Sequence, residues 1–439
     1  MYERFCFIVN RIKERLWVKP LLMCGLSIVA AFLAQMADDV SFMSIHAPDV
    51  APESVETLLT VMSSSMLVIA TFSVGSMVTA YASASNTATP RSFPLVIADD
   101  VSQNALSAFV GAFIFSIVAL VSVQNSAYDK AGRFALFVLT ILVFALVIVM
   151  FVRWVDRIAR LGRLGSTVDK VEAATASALT LRRQAPTLGA SAVVGRSDLA
   201  ADPAAVAIYS ESIGYIERID VPALQELAQK MSIRVEVAAL PGTFVAPGRA
   251  LAYACEQLDG GNGKDKDNPE AFDLSKLAAP FLIGRTRTFD EDPRFGLVVL
   301  SEIASRALSP AVNDPGTAIQ VIGSFVRLFS LWGESADTGQ QPEVKHDLVS
   351  MPELSVDDLF EDAFVAIARD GAHNIEVVLR LQKALQALAL IGDEPMRSAA
   401  IQQGLLTLQR AELALDCDRD LRLARESAGF ALTGGSKTP

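Results

Sequence analysis

Apolar residues dominate four uncharged windows of the chain, Pro20–Ala37, Leu58–Ala82, Ala105–Val123 and Phe134–Val152, and no later stretch approaches them. Roughly 20 residues rising about 1.5 Å each cross the hydrocarbon layer, so each window has the length of a spanning helix. The first window reads as a retained helix rather than a secretory leader. No small-residue cleavage site precedes "MADDV", and three more windows follow.

Beyond Val152 the pattern changes. "VRWVDRIARLGRLGSTVDKVEAATASALTLRRQA" keeps helical spacing and predicts a stalk over 153–190 that continues or takes over from the last span. "AVAIYS" and "GYIERI" predict short strands, "VPALQELAQKM" a helix with Pro222 in its first turn, and "IRVEVAA" another strand, making 203–256 a small α/β subdomain. "DGGNGKDKDNPE" is polar and Gly-rich, the composition of a mobile loop. "DLSKLAAPFLIG", "FGLVVLSEIASRAL", "GTAIQVIGSFVRLFSLW", "VDDLFEDAFVAIARDGAHNIEVVLRLQKALQALALI" and "EPMRSAAIQQGLLTLQRAELAL" predict the helices of a subdomain over 272–430, followed by a disordered tail over 431–439. The predicted fold class is a multi-pass α-helical membrane protein. Four transmembrane helices, within residues 1–152, precede a cytoplasmic α+β domain that is mostly helical towards its C-terminus.

Charges orient the spans. Arg4, Arg11, Lys13, Arg15 and Lys19 precede the first window, and Arg153, Arg157, Arg160 and Arg163 follow the fourth, which predicts that both ends lie in the cytoplasm. The first outer loop carries Asp38, Asp39, Asp49, Glu53 and Glu56 without a basic residue. Trp17, Tyr81 and Trp154 are expected at the inner interface, where amphipathic rings prefer to lie. The expected localisation is the inner membrane of a bacterium.

Composition narrows the chemistry. The chain has 439 residues and a mean hydropathy of +0.37, too apolar for an ordinary soluble protein. Eight of its 38 basic and ten of its 49 acidic side chains precede Arg153, which leaves 30 basic against 39 acidic in the remainder. An acidic cytoplasmic part argues against nucleic acid as a partner. Cys6, Cys24, Cys255 and Cys417 are scattered, as are His46, His346 and His373, so neither a disulfide framework nor a metal site is predicted. "PGTFVAPGRALAYA" resembles the hairpin of biotinyl or lipoyl carrier domains but lacks the lysine such domains modify, and no cofactor is expected. No hydrolase, metalloprotease, nucleotide-binding or kinase motif occurs, so an enzyme is not expected.

The densest polar stretch is "RALSPAVNDPGTA", Arg306 to Ala318. Ser309 before Pro310 and Asp314 before Pro315 each have the form of a helix cap followed by proline at the first helical position. With Asn313 and Arg306, and with Arg285, Arg287, Asp290, Glu291 and Asp292 upstream, the stretch is either a structural turn with an ion network or a site for a cytoplasmic ligand. Arg91, Asp99 and Asp100 lie at the cytoplasmic ends of the second and third spans, where the carboxylates suit a helix N-terminus.

"RTRTFDEDPRFGLVVLSEIASRALSPAVNDPGTA", "YASASNTATPRSF" and "GYIERID" with "LPGTFVAPG" together resemble an uncharacterised family of bacterial predicted membrane proteins, the domain-of-unknown-function family numbered twenty-two fifty-four. The resemblance implies a multi-pass bacterial inner-membrane protein and carries no established activity.

The second window is the most informative. It is rich in Ser and Thr and has no charge. At ~100° per residue Thr60, Ser64, Thr71 and Gly75 share one face, and Ser65, Ser76 and Ser83 another. Small residues let helices approach closely. The alternative is a pore helix with Leu67, Val74 and Val78 as an apolar constriction that closes by dewetting. No window holds an Asp, Glu, Lys, Arg or His, which weighs against proton- or ion-coupled transport. The expectation is a homo-oligomeric channel for a small ion, assembled and gated by its cytoplasmic domain. A membrane-anchored scaffold or sensor is the alternative.

Overall fold

The computed structural model describes residues 17–36, 48–97, 99–160, 163–193, 202–256, 274–334 and 344–433. The "DGGNGKDKDNPE" loop, the tail beyond residue 433 and most of the N-terminal basic flank lie outside them. The chain divides into two compact units, Met1–Thr167 and Val168–Pro439.

The first unit holds α1 (Val18–Gln35), α2 (Pro52–Thr87), α3 (Phe93–Ile97) preceded by a 3₁₀ turn (Pro90–Ser92), α4 (Asp100–Gln124) and α5 (Lys130–Arg160). Four of these are long and apolar enough to cross a membrane: Val18–Gln35, Pro52–Ser83, Asp100–Gln124 and Lys130–Arg160. The last three outrun the apolar windows read from sequence at both ends, because backbone hydrogen bonding continues into the polar flanks where apolarity stops, while Val18–Gln35 begins two residues before its window without being longer. The α4 helix is central. Half of its apolar window is buried, against 11–22% in the other three. Small side chains make that possible: Ala105, Ala108, Gly111, Ala112, Ser116 and Ala119 are all buried, which lets neighbouring backbones approach. A Cβ on Gly111 would stand 3.2 Å from both Met23 Cβ and Ser27 Oγ of α1. Phe109, Phe115, Leu59, Met62 and Leu136 fill the remaining core.

The second unit begins with α6 (Leu164–Gln184), which straddles the unit boundary. It continues through β1 (Ala190–Ala192), β2 (Val206–Tyr209), β3 (Gly214–Ile219), α7 (Val221–Met231), β4 (Ile233–Val237), β5 (Phe244–Val245), β6 (Ala250–Glu256) and β7 (Phe281–Gly284). The remaining elements are α8 (Pro293–Ala307), α9 (Pro315–Gly333), β8 (His346–Met351), α10 (Val356–Asp370), α11 (Ile375–Ile391), α12 (Glu394–Ala414), α13 (Asp418–Ser427) and α14 (Gly429–Leu432). A five-stranded sheet has the order β1-β8-β4-β6-β2 and a three-stranded sheet the order β5-β3-β7. The α/β part is therefore not confined to 203–256, since β1, β7 and β8 join its sheets from outside that range. "FLIG", read as helix, is the strand β7 paired antiparallel to β3. The carrier-like hairpin does not form either, because β5 and β6 belong to different sheets. The long helix read over 356–391 is broken at Gly371, and Asn374 caps α11 by accepting from the Val377 N–H at 3.2 Å. Helical packing is anchored by Phe325, Phe329, Phe360 and Phe364, with the Phe329 and Phe360 rings 4.4 Å apart.

Candidate functional site

In α2, Val55, Leu59, Met62, Met66, Ala70, Ser73 and Met77 are buried. All seven residues singled out from sequence, Thr60, Ser64, Leu67, Thr71, Val74, Gly75 and Val78, are exposed on the opposite side. A Cβ on Gly75 would meet nothing within 4 Å. Several hydroxyls on this side are satisfied within the helix: Ser64 donates to the Thr60 carbonyl at 2.9 Å, Thr71 to Leu67 at 2.9 Å and Thr79 to Gly75 at 3.0 Å. The outward side of α2 mixes these hydroxyls with exposed Val61, Leu67, Val68, Phe72, Val74 and Val78, whereas the outward sides of α1 and α5 are more uniformly apolar. They present Leu21, Leu22, Leu26 and Phe32, and Ile141, Leu142, Val149 and Val152, large apolar residues of the sort that face lipid.

The charges at the start of α4 are committed to neighbours. Asp99 caps α4, accepting from the Ser102 N–H at 3.2 Å and hydroxyl at 2.7 Å, and also receives both Nε (2.8 Å) and Nη2 of Arg157. Its side chain is 2% exposed, so it does not line a mouth. Asp100 is exposed and pairs with Lys19 at 2.5 Å. Arg91 is exposed, and its backbone N–H is held by the Thr89 hydroxyl. Trp154 is not an interfacial ring, being 1% exposed and packed among Phe72, Phe109 and Phe151. Tyr81 is buried as well, with Phe93 against it at 6.1 Å.

In the second unit the polar stretch resolves into a turn and a separate ion cluster. Asp314 caps α9, accepting from the Thr317 N–H at 3.1 Å and hydroxyl at 2.6 Å, while its own N–H donates to Ala307. Asn313 sits at φ 49°, a left-handed conformation that Asn tolerates better than most residues. No helix starts at Pro310. The Ser309 hydroxyl donates to the Arg306 carbonyl at 2.7 Å instead of accepting from a helix N–H. Arg285 and Asp290 are exposed and form no ion pair among the described residues, and the Arg306 side chain is exposed.

Arg287 belongs to the cluster. It grips Asp292 through two bonds of 2.7 and 3.0 Å and lies over the Phe295 ring at 5.2 Å. Asp292, 2% exposed, also caps α8 through the Phe295 N–H. Arg218 of β3 pairs with Glu291 at 3.1 Å. Arg182 of α6 is buried, and its guanidinium reaches the Glu291 carbonyl at 3.4 Å. Burial pushes both carboxyls up, against Arg218 at Glu291 and Arg287 at Asp292, and burial draws Arg182 down. Gly242 completes the arrangement at φ +88°, so close that a Cβ would fall 2.1 Å from Asp292 Oδ2. "GYIERID", "LPGTF" and "RTRTFDEDPRFG" thus converge on one partly buried network. Sequence reading missed Arg182, Arg218 and Gly242 in this role. The only local signal was a Gly at a turn.

The family model described as "Predicted membrane protein (DUF2254)" matches residues 13–387. The chain belongs to this family. It is also similar to an uncharacterized protein of Mycobacterium tuberculosis, Rv1290c, and to one of Mycobacterium bovis, Mb1321c, at 29% identity over 224 residues in each case. Those matches cover 50% of this chain and 42% of each relative, so the chain spans less than half the length of the relatives it matches. No solved structure matches. The converging motifs are some of those that carry the family resemblance, "YASASNTATPRSF" lying in the first unit, and their geometry is that of a fold clamp.

The turn gives a direct test. Asp314→Ala is expected to cost about 0.5 to 2 kcal/mol of stability, and Asp314→Asn less, because Asn also caps well and retains a partner for the Thr317 hydroxyl. Thermal melts compare the two. Equal losses would mean that the carboxylate charge itself is used.

Proposed function

We propose that the protein is a multi-pass inner-membrane protein with both ends in the cytoplasm, and that copies assemble around a pore lined by the outward side of α2. One observation carries the reading: among the four candidate spans, α2 alone couples an uncovered outward side to a row of hydroxyls and glycine, Thr60, Ser64, Thr71 and Gly75. A side that faces only lipid has no use for such residues, whereas water or a second copy of the helix does. Four spans suffice for a channel built by rotation about an axis. Leu67, Val74 and Val78 would narrow it, and the passing species would be a small ion. No catalytic role is proposed.

The runner-up is a membrane-anchored scaffold or sensor in which the same side of α2 packs dry against a neighbouring copy. It is favoured by the hydroxyl bonds within the helix, which leave Ser64 and Thr71 with no need of water. Cysteine accessibility separates the two. Cysteines at Thr60, Ser64, Thr71 and Gly75 are expected to react with a membrane-impermeant thiol reagent, and a cysteine at Leu142 is not. Uniform protection along α2 would support dry packing.

A further inference from the structure

Three neutral side chains inside the four-helix bundle are buried with hydrogen-bonding atoms that find no partner among the described residues: Ser73 Oγ, Tyr81 Oη and Trp154 Nε1. Their residues are 0, 9 and 1% exposed. Other buried hydroxyls of the same bundle are satisfied. Ser107, Ser116 and Thr140 donate to the carbonyl four residues back at 2.6 to 2.7 Å, and Ser102 to Asp99. Ser73 departs from that habit although its helix offers the same carbonyl. Leaving such a group unmet inside an apolar bundle costs on the order of 1–3 kcal/mol, so three orphans in one region call for a shared partner.

They do share a region. Phe72 meets the Trp154 ring edge-on at 6.0 Å, which sets Trp154 level with the turn of α2 that carries Ser73. Ser73 and Tyr81 lie two turns apart on the same buried side, about 12 Å along the axis. Tyr81 lies within electrostatic reach of Asp99, whose partner Arg157 is three residues from Trp154, so Tyr81 and Trp154 lie towards the same end of the bundle. Leu106 and Ile158 pack against both the cluster that contains Trp154 and the one that contains Tyr81.

We propose that Ser73, Tyr81 and Trp154 line an internal hydration site within each copy, holding one or a few water molecules between α2, α4 and α5. The chemistry selects the occupant. Trp154 Nε1 only donates, whereas the two hydroxyls donate and accept, so the occupant must accept from the indole and both give to and take from its neighbours. Water does this with its usual two to four bonds. The three groups are neutral, and the carboxylate within electrostatic reach of Tyr81, Asp99, is already held by Ser102 and Arg157, so a neutral occupant fits better than a bare ion. The site lies inside one protomer and stands independently of any pore between copies.

The test uses the full chain in lipid bilayers, with Trp17→Phe and Trp332→Phe leaving Trp154 as the one indole and with ¹⁵N-labelled tryptophan. Solid-state NMR then measures magnetisation transfer from water protons to the Trp154 indole N–H. Transfer is expected, and Ser73→Ala or Tyr81→Phe should each reduce it several-fold. A visible indole resonance that receives no magnetisation from water would overturn the proposal. So would transfer that neither substitution changes, and if Ser73→Ala does not fold, Tyr81→Phe carries the comparison.

Discussion

Gly242→Ala should destabilise the protein by about 3 kcal/mol or more, whereas Gly248→Ala should cost about 1–2 kcal/mol. Both glycines have φ +88°, so both substitutions pay the left-handed penalty of an L-residue. They differ in what the new methyl meets. At Gly248 nothing lies within 4 Å, while at Gly242 the Asp292 carboxylate is 2.1 Å away. Asp292 cannot yield cheaply, because it is held by two bonds from Arg287 and caps α8. Moving it breaks a buried ion pair and exposes a helix N–H together. Denaturant unfolding of the two variants gives the difference. Similar losses would show that the backbone conformation alone, and not the carboxylate, demands glycine at 242.

The second large effect is expected at Arg157. Replacing it with alanine leaves Asp99 buried without its guanidinium, and the loss should be about 3 kcal/mol, at the low end for a broken buried pair because the Arg157 side chain is 35% exposed. Arg160→Ala is the control. Arg160 pairs with Asp156, but both side chains are about two-thirds exposed, and such pairs contribute roughly 0–1 kcal/mol. Asp99→Asn should cost less than Arg157→Ala, since an amide still caps α4 through Ser102. In the double variant Asp99→Asn/Arg157→Ala the loss should be well below the sum of the two singles. Additive losses, measured by thermal unfolding in detergent, would mean that the two side chains act separately.

What was legible in the sequence follows from how local the cause is. The four candidate spans were visible because each rests on its own run of uncharged apolar residues. The Asp314 cap was visible because cap and proline are adjacent, and the same logic failed at Ser309, where the chain turns before any helix can start. Strands such as "FLIG" and "HDLVSM" were misread or unseen. A run of four to six residues is stabilised as strand by its neighbours in the sheet, and those neighbours lie tens of residues away. The commitment of Asp99 to Arg157, 58 residues on, likewise has no local signature. Trp154 was expected at an interface on its amphipathic character, yet three aromatic neighbours from three helices enclose it.

For the candidate site, the α2 row was legible as a periodicity and its outward placement was not, since periodicity does not say which side packs. The clamp was half legible: its carboxylates and arginines were seen as one group, but their pairing was not. Arg287 belongs to Asp292 and Arg218 to Glu291, and neither reaches Asp314.

The central claim, a pore between copies along α2, is tested most directly by ion flux through purified protein in liposomes, with Gly75→Trp as the paired variant. The account predicts flux well above that of protein-free liposomes and its near abolition by the tryptophan, with folding and assembly retained. Flux equal to protein-free liposomes, or flux unchanged by Gly75→Trp, would contradict it.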